Sequence, residues 1–270
     1  MHTGQMLTST KNPKIKAVHA LKERKERDAT GRFLIEGYRE ISRALIGNVA
    51  IETLFVAKEL FLGENEQQLI QKIKNRGAEV CGVSAGIFEK LSYRDRPDGL
   101  VAIAQQMRRS LSDLVPCDET ALFVVAEAIE KPGNLGSILR SADAVGATAV
   151  IVSDRCTDIY NPNVVRASVG TLFTLPVIET ERDVLSLWLQ KHSIRIVATT
   201  PQTEILYTDI SLKGPLAIFV GTEQFGLSSY WMEKAAVKVR IPMQGVADSL
   251  NVASATTLLL YEALRQRTAR

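Results

Sequence analysis

From Ala121 onward, short apolar runs rich in β-branched residues recur at 121–126, 149–152, 172–177, 195–199, 216–221 and 237–241, with amphipathic segments between most of them. Strands of this kind, buried on both faces and separated by helical spacing, predict an α/β domain built on a mostly parallel sheet with helices on both sides. A final helix is predicted over 251–267, where Leu258, Leu259, Leu260 and Leu264 supply more apolar surface than one face needs. Few other folds accommodate so many buried-type strands in one stretch of chain.

The first hundred residues alternate on a smaller scale. Helical spacing covers 14–25, 39–45 and 66–76, and strand patterns cover 33–35, 51–56, 79–83 and 100–104. A smaller α/β domain is therefore predicted over 1–106, a linker over 107–119, where Arg108-Arg109-Ser110, Pro116 and acidic residues show no periodic pattern, and the larger domain over 120–270. With 270 residues and 46% apolar content, two separate cores are affordable. No run approaches the length of a membrane span, and Met1-His2-Thr3-Gly4 has the features of no targeting segment, so a soluble, cytoplasmic protein is expected. Cys81, Cys117 and Cys156 are odd in number and far apart, which fits reduced, mostly buried thiols. His2, His19 and His192 are equally scattered, so no metal site is expected.

Net charge is only +3, yet residues 1–110 carry +6 and the remainder −3. Lys11, Lys14, Lys16, Lys22, Arg24, Lys25 and Arg27 crowd one segment that would attract phosphates. The interruptions at Glu23, Glu26 and Asp28 also fit an ordinary solvated helix face.

Three segments of the larger domain carry the chemistry. The strand around Val237, Val239 and Ile241 ends at Pro242, and a Gly-containing loop follows, with Asp248, Ser249 and Asn251 clustered where a helix must start. Read alone, the loop fits helix capping as well as a ligand pocket. After the first strand, Lys131-Pro132-Gly133 breaks the chain, Asn134 is placed to cap a helix, and Arg140 lies about two turns further on, off the apolar stripe. The run Leu216 to Val220 ends in Gly221-Thr222-Glu223, where glycine permits a ligand to approach the backbone closely. Arg166 and Ser168, beyond the Asn161-Pro162 break, have the character of phosphate contacts. No Gly-x-Gly-x-x-Gly follows an early strand and no P-loop lysine motif is present, which disfavours ordinary dinucleotide and nucleotide folds.

Taken together, these segments resemble the SpoU/TrmH family of RNA ribose 2′-O-methyltransferases, within the knotted SPOUT superfamily. The first motif appears as Asn134, Gly136, Arg140, Ala142 and Gly146, and the second as Asn161-Pro162-Asn163-Val164-Val165-Arg166-Ala167-Ser168-Val169-Gly170. The third joins Gly221-Thr222-Glu223 and Gly226-Leu227 to Ile241-Pro242-Met243 and Ser249-Leu250-Asn251. Thr8 to Lys16 and Arg32 to Gly37 are similar to the L30e-like substrate-binding domain of bacterial ribosomal RNA members.

The resemblance implies a trefoil-knotted catalytic domain, S-adenosylmethionine as methyl donor, pairing of two copies through the knotted region, and structured RNA, ribosomal rather than transfer RNA, as substrate. It places Asn134, Arg140, Glu223 and Asn251 at the catalytic site and Thr199, Gly221, Ile241 and Leu250 around the adenosine end of the donor. Lys14, Lys16, Lys22, Lys25, Arg166 and Ser168 are the candidate RNA contacts. The arginine matching Arg140 is proposed in the family as general base. A guanidinium stays protonated at accessible pH, so a role in orienting the hydroxyl and offsetting charge stands beside that one. One departure is Ala253, where the family carries serine, with Ser254 beside it. That departure favours the alternative of a non-catalytic RNA-binding or ribosome-assembly factor that keeps the fold.

Overall fold

The computed structural model describes residues 6–114, 119–154 and 157–268. The chain forms two compact units, one comprising residues 1–107 and 158–174, the other 108–157 and 175–270. The assignment of 158–174 to the first unit differs from a simple division at the linker.

Along the chain, the first unit runs α1 (Pro13–Ala20), α2 (Arg24–Thr30), β1 (Arg32–Glu36), α3 (Tyr38–Ile46), β2 (Ile51–Val56), α4 (Glu66–Asn75), β3 (Glu79–Gly82), α5 (Ala85–Leu91) and β4 (Leu100–Gln105). Its four strands are ordered β1-β4-β2-β3; β4 is antiparallel to both neighbours and β2 pairs with β3 in parallel. Ile15, Val18, Phe55, Phe88 and Leu91 lie in the core on one side of this sheet. The helix expected over 14–25 is two helices. Asn12 caps the first, accepting from the Lys14 amide at 2.9 Å. At the break, Arg27 turns inward and donates to the carbonyls of Leu21 and Lys22 at 2.9 and 2.7 Å. Carbonyls left open at a helix end need such partners.

The second unit runs β5 (Leu122–Glu127), α6 (Pro132–Ala144) and β6 (Ala149–Ser153). The chain then supplies the first unit with α7 (Pro162–Ala167) before continuing through β7 (Val177–Thr180), α8 (Arg182–Lys191), β8 (Arg195–Thr199), β9 (Leu216–Val220), α9 (Ser229–Lys234), β10 (Val237–Val239) and α10 (Val252–Thr268). The six strands are parallel throughout, in the order β10-β8-β9-β5-β6-β7. Phe123, Ile151, Leu185, Phe219 and Trp231 fill its interior, with Phe219 and Trp231 ring centroids 4.5 Å apart. The strand expected over 172–177 begins only at Val177. Pro176 has no N–H to give a ladder, and Thr171–Phe173 is a short 3₁₀ turn of the first unit.

From β5 the chain steps to β6 and β7 on one side, whereas β8, β9 and β10 lie on the other. The strand order therefore reverses beside β5, and the crevice outside the carboxyl ends of the strands at such a point is where open parallel sheets bind ligands. Among the described residues, no helix is long and apolar enough to cross a membrane and no group of His, Cys, Asp and Glu is arranged to hold a metal. Cys81 is buried; Cys117 and Cys156 lie outside the described residues.

Candidate active site

At the carboxyl end of β9 the backbone turns into a hairpin in which Thr222 and Gly226 exchange two hydrogen bonds of 3.0 Å. Gly226 has φ +68°, a conformation glycine adopts without strain. Gly221 is required for a different reason from the expected one, because a Cβ there would run into the Gly226 carbonyl. The hairpin takes up the direction a side chain would need, while the backbone of Gly221 still borders the adjoining cleft. The hairpin carries Glu223. Its base is anchored by Glu127 at the end of β5, whose buried carboxylate accepts from the Ser228 amide at 2.8 Å and hydroxyl at 2.5 Å.

Asn134 is not the cap of α6. Lys131 occupies that position, and Pro132, whose fixed φ suits the first helical residue, starts the helix earlier than expected. Asn134 therefore sits inside the first turn, where its amide donates to Glu223 Oε1. Asn251 does cap α10, its Oδ1 accepting from the amides of Ala253 (3.0 Å) and Ser254 (3.4 Å). That fixes the amide orientation, so Nδ2 faces the cluster and donates to Asn134 Oδ1 and Glu223 Oε1, both at 3.1 Å. Lys131 completes the group through an ion pair with Glu223 Oε2. Hydrogen bonding from Lys131, reinforced by Asn134, holds the Glu223 carboxyl below its ordinary value. Three of the four expected catalytic residues thus meet. Lys131, which sequence reasoning passed over, meets them; the signal was a cation directly before the Pro-Gly-Asn break.

Arg140, the fourth, stands apart. It is exposed and makes no hydrogen bond or ion pair among the described residues. Six residues beyond Asn134 amount to about 240° of helical rotation, so the two occupy different faces of α6. Ala253 is buried, and the Ser254 side chain lies exposed beside it.

A cleft of about 430 Å³ opens beside this cluster, within the range of roughly 300–1,000 Å³ usual for small-molecule sites. Thr199, Gly221, Ile241 and Leu250 all line it, as does Glu223. The Thr199 hydroxyl donates to the Phe219 carbonyl at 2.9 Å and so ties β8 to β9 at its floor. Small and apolar side chains at strand ends, with open backbone groups between them, suit the adenosine part of a nucleoside-bearing donor.

The candidate RNA contacts fare unevenly. Lys16 and Lys25 are exposed and make no polar contact among the described residues. Lys14 is paired with Glu79, which raises its pKa. Lys22 is half-buried, 4.6 Å from the centre of the Tyr93 ring, and burial lowers its pKa. Arg27 is interior, its Nε 2.7 Å from Asp158 Oδ2. Arg166 is exposed with no polar partner among the described residues. Ser168 is fully buried; its hydroxyl donates to Val165 at 2.9 Å and accepts from the Gly170 amide at 3.3 Å, which removes it from the surface that meets a phosphate.

Comparison with known proteins gives one consistent family. The profile of the SpoU rRNA Methylase family matches residues 121–261, and that of the MRM3-like substrate binding domain matches residues 12–102. A 23S rRNA (uridine(2479)-2′-O)-methyltransferase of Streptomyces viridochromogenes is 33% identical over 255 residues, covering 92% of this chain and 87% of that protein. The crystal structure of an RNA 2′-O ribose methyltransferase is 46% identical with a TM-score of 0.87, covering 98% of this chain and 100% of the other. An AdoMet-bound rRNA methyltransferase from Sinorhizobium meliloti is 32% identical with a TM-score of 0.89, covering 98% and 99%.

Proposed function

Because the chain belongs to the SpoU rRNA methylase family, we propose that it methylates a ribose 2′-hydroxyl in 23S ribosomal RNA with S-adenosylmethionine as donor. The observation that carries the reading is the position of Glu223: it lines the cleft and also binds Asn134, Asn251 and Lys131. A donor-sized cavity and a preformed polar cluster therefore share a wall.

When bound, S-adenosylmethionine supplies a methyl carbon activated by its sulfonium. Thr199, Gly221, Ile241 and Leu250 would hold the adenosine portion and exclude water from it. Lys131, Asn134 and Asn251 keep Glu223 ionised and fixed in place. Arg140, exposed on another face of α6 and without a polar partner among the described residues, is the group that the family resemblance sets against the acceptor ribose, where it would orient the hydroxyl and offset the charge that builds on the oxygen. Lys16, Lys22, Lys25 and Arg166 attract the RNA backbone.

The reading includes the trefoil threading of the family, supported by the return of α10 against α6, where Ser141 and Thr257 hydroxyls lie 2.7 Å apart. It also includes a homodimer. Leu259 and Leu260 are buried within the protomer, so the surface offered to a second copy is the outer face of α10, with Leu258 40% and Tyr261 50% exposed. Light scattering at micromolar concentration should give twice 29.7 kDa; a monomer removes that part of the reading. The reading also includes a cytoplasmic location, supported by relatives named as 23S rRNA methyltransferases.

Isothermal titration with S-adenosylmethionine in the presence of a chelator tests the donor assignment. Saturable binding is expected. No heat from a folded sample would favour the non-catalytic RNA-binding factor, the reading for which Ala253 speaks.

A further inference from the structure

We propose that the first unit grips the RNA backbone at one phosphate, at a notch lined by Tyr93 and Arg166, with Lys22 beside it over the Tyr93 ring. The proposal rests on the RNA-methyltransferase reading above and adds to it a defined contact that joins the amino-terminal sheet to the second sequence motif.

The notch is a hole of about 10 Å³, room for one oxygen-sized group, lined by Leu34, Pro162 and Val165 together with Glu36, Tyr93, Arg94 and Arg166. Two donors of the lining, Tyr93 and Arg166, and the neighbouring Lys22 have few other partners among the described residues. Arg166 makes no hydrogen bond or ion pair among the described residues and is exposed. The Lys22 ammonium lies over the Tyr93 ring and, among the described residues, has the Lys90 carbonyl at 3.4 Å as its one hydrogen-bond partner. The Tyr93 hydroxyl has no hydrogen-bond partner among the described residues, and burial pushes its pKa up to about 12, so it remains a donor at working pH.

One acidic group, Glu36, lines the notch, and its charge also acts on Lys22. Glu36 accepts from the Ser92 hydroxyl and, at 2.8 Å, from the Tyr93 amide, which pins the loop that presents the ring. Arg94 also borders the notch; its terminal nitrogens serve the Glu36 carbonyl (2.9 Å), Glu40 (2.7 Å) and Asp98 (3.8 Å), while its buried Nε has no hydrogen-bond partner among the described residues. It belongs to the scaffold rather than to the donors.

The Arg166 guanidinium at the hole, the Lys22 ammonium over the neighbouring ring and a neutral hydroxyl outweigh the one lining carboxylate, Glu36, and match a phosphodiester, which brings one charge and several acceptor oxygens. The rim is rigid. Arg166 rides on α7, in a segment held to the rest of the unit by the buried Arg27–Asp158 pair and by Tyr160, whose ring centroid lies 4.6 Å from that of Phe33. A preset site of this kind costs little ordering when the ligand arrives.

The test uses the full chain and an unmodified 23S rRNA transcript, with affinity measured across a salt series. Arg166→Ala and Lys22→Ala should each weaken binding about tenfold and lower the salt slope by about 0.7 to 0.9. Tyr93→Phe removes only the hydroxyl, so affinity should fall a few-fold with the slope unchanged. Lys74→Ala, an exposed cation elsewhere on the unit, should bind as wild type. Donor affinity and thermal midpoint should match wild type in every variant. Wild-type RNA affinity in both Arg166→Ala and Tyr93→Phe overturns the notch while leaving the methyltransferase reading intact. A wild-type chain that binds donor but neither binds nor methylates the RNA overturns that reading, and the notch with it.

Discussion

Removing one partner of the Arg27–Asp158 pair should be among the most damaging single changes in the first unit. Both side chains are 2% exposed, and the contact spans 131 positions of sequence. Arg27→Met would strand an ionised Asp158 carboxylate in the interior and leave the Leu21 and Lys22 carbonyls without their donor. Breaking a buried pair in this way costs about 3–5 kcal/mol, because the surviving charge keeps its desolvation penalty and loses its compensation. In Arg27→Met/Asp158→Asn the charge is gone and the amide oxygen still accepts from the Tyr160 amide, a 2.9 Å bond in the native chain. The double variant should therefore recover more than half of the loss. Urea unfolding followed by far-ultraviolet circular dichroism gives the energies, and hydrogen exchange of peptides covering β1 and residues 158–174 locates them. A loss below about 1 kcal/mol for Arg27→Met, or a double variant less stable than the single one, would refute the reasoning.

Asn251→Ala removes the cap of α10 and should lower stability by about 1 kcal/mol, read as a thermal shift, whereas Asn251→Asp keeps the cap and should lose methyl transfer by setting a second carboxylate against Glu223. Since Lys131 holds the Glu223 carboxyl below its ordinary value, the stability it contributes is fully present above the usual carboxylate range and is lost as pH falls through the lowered value; Glu223→Gln should flatten that part of the acid-unfolding profile. Arg140→Ala should leave the fold and donor affinity unchanged and nearly abolish transfer at saturating RNA, and wild-type turnover in that variant would remove Arg140 from the catalytic site.

Much of the second unit is legible in the sequence because its signals are local. The apolar run at 216–220 is a strand on every ordinary criterion, and Asn251 at the mouth of an apolar-periodic segment does cap α10. What was not legible depends on partners remote in sequence. Arg27 sits in a run of exposed charges and looks like one of them; only Asp158 makes it an interior residue. The same contact explains why 158–174 belongs with the first unit, although it lies between two strands of the second. Ser168 reads either as a phosphate contact or as a helix-interior residue, and its burial, with the hydroxyl bonded to Val165 and Gly170, decides for the interior. Asn134 reads locally as a helix cap, but Pro132 at the first helical position starts α6 earlier and leaves the side chain to the polar cluster. Lys131 was missed because a single cation before a helix break carries no pattern of its own.

The central claim is methyl transfer to a ribose oxygen of 23S ribosomal RNA. Incubating the protein with S-adenosylmethionine labelled in the methyl group and an unmodified 23S rRNA transcript, digesting the RNA to nucleosides and separating them tests it most directly. The account predicts label in a 2′-O-methylated nucleoside, dependent on Arg140 and Glu223. Label in a base-methylated nucleoside, or no incorporation by a protein that binds the donor, would contradict it.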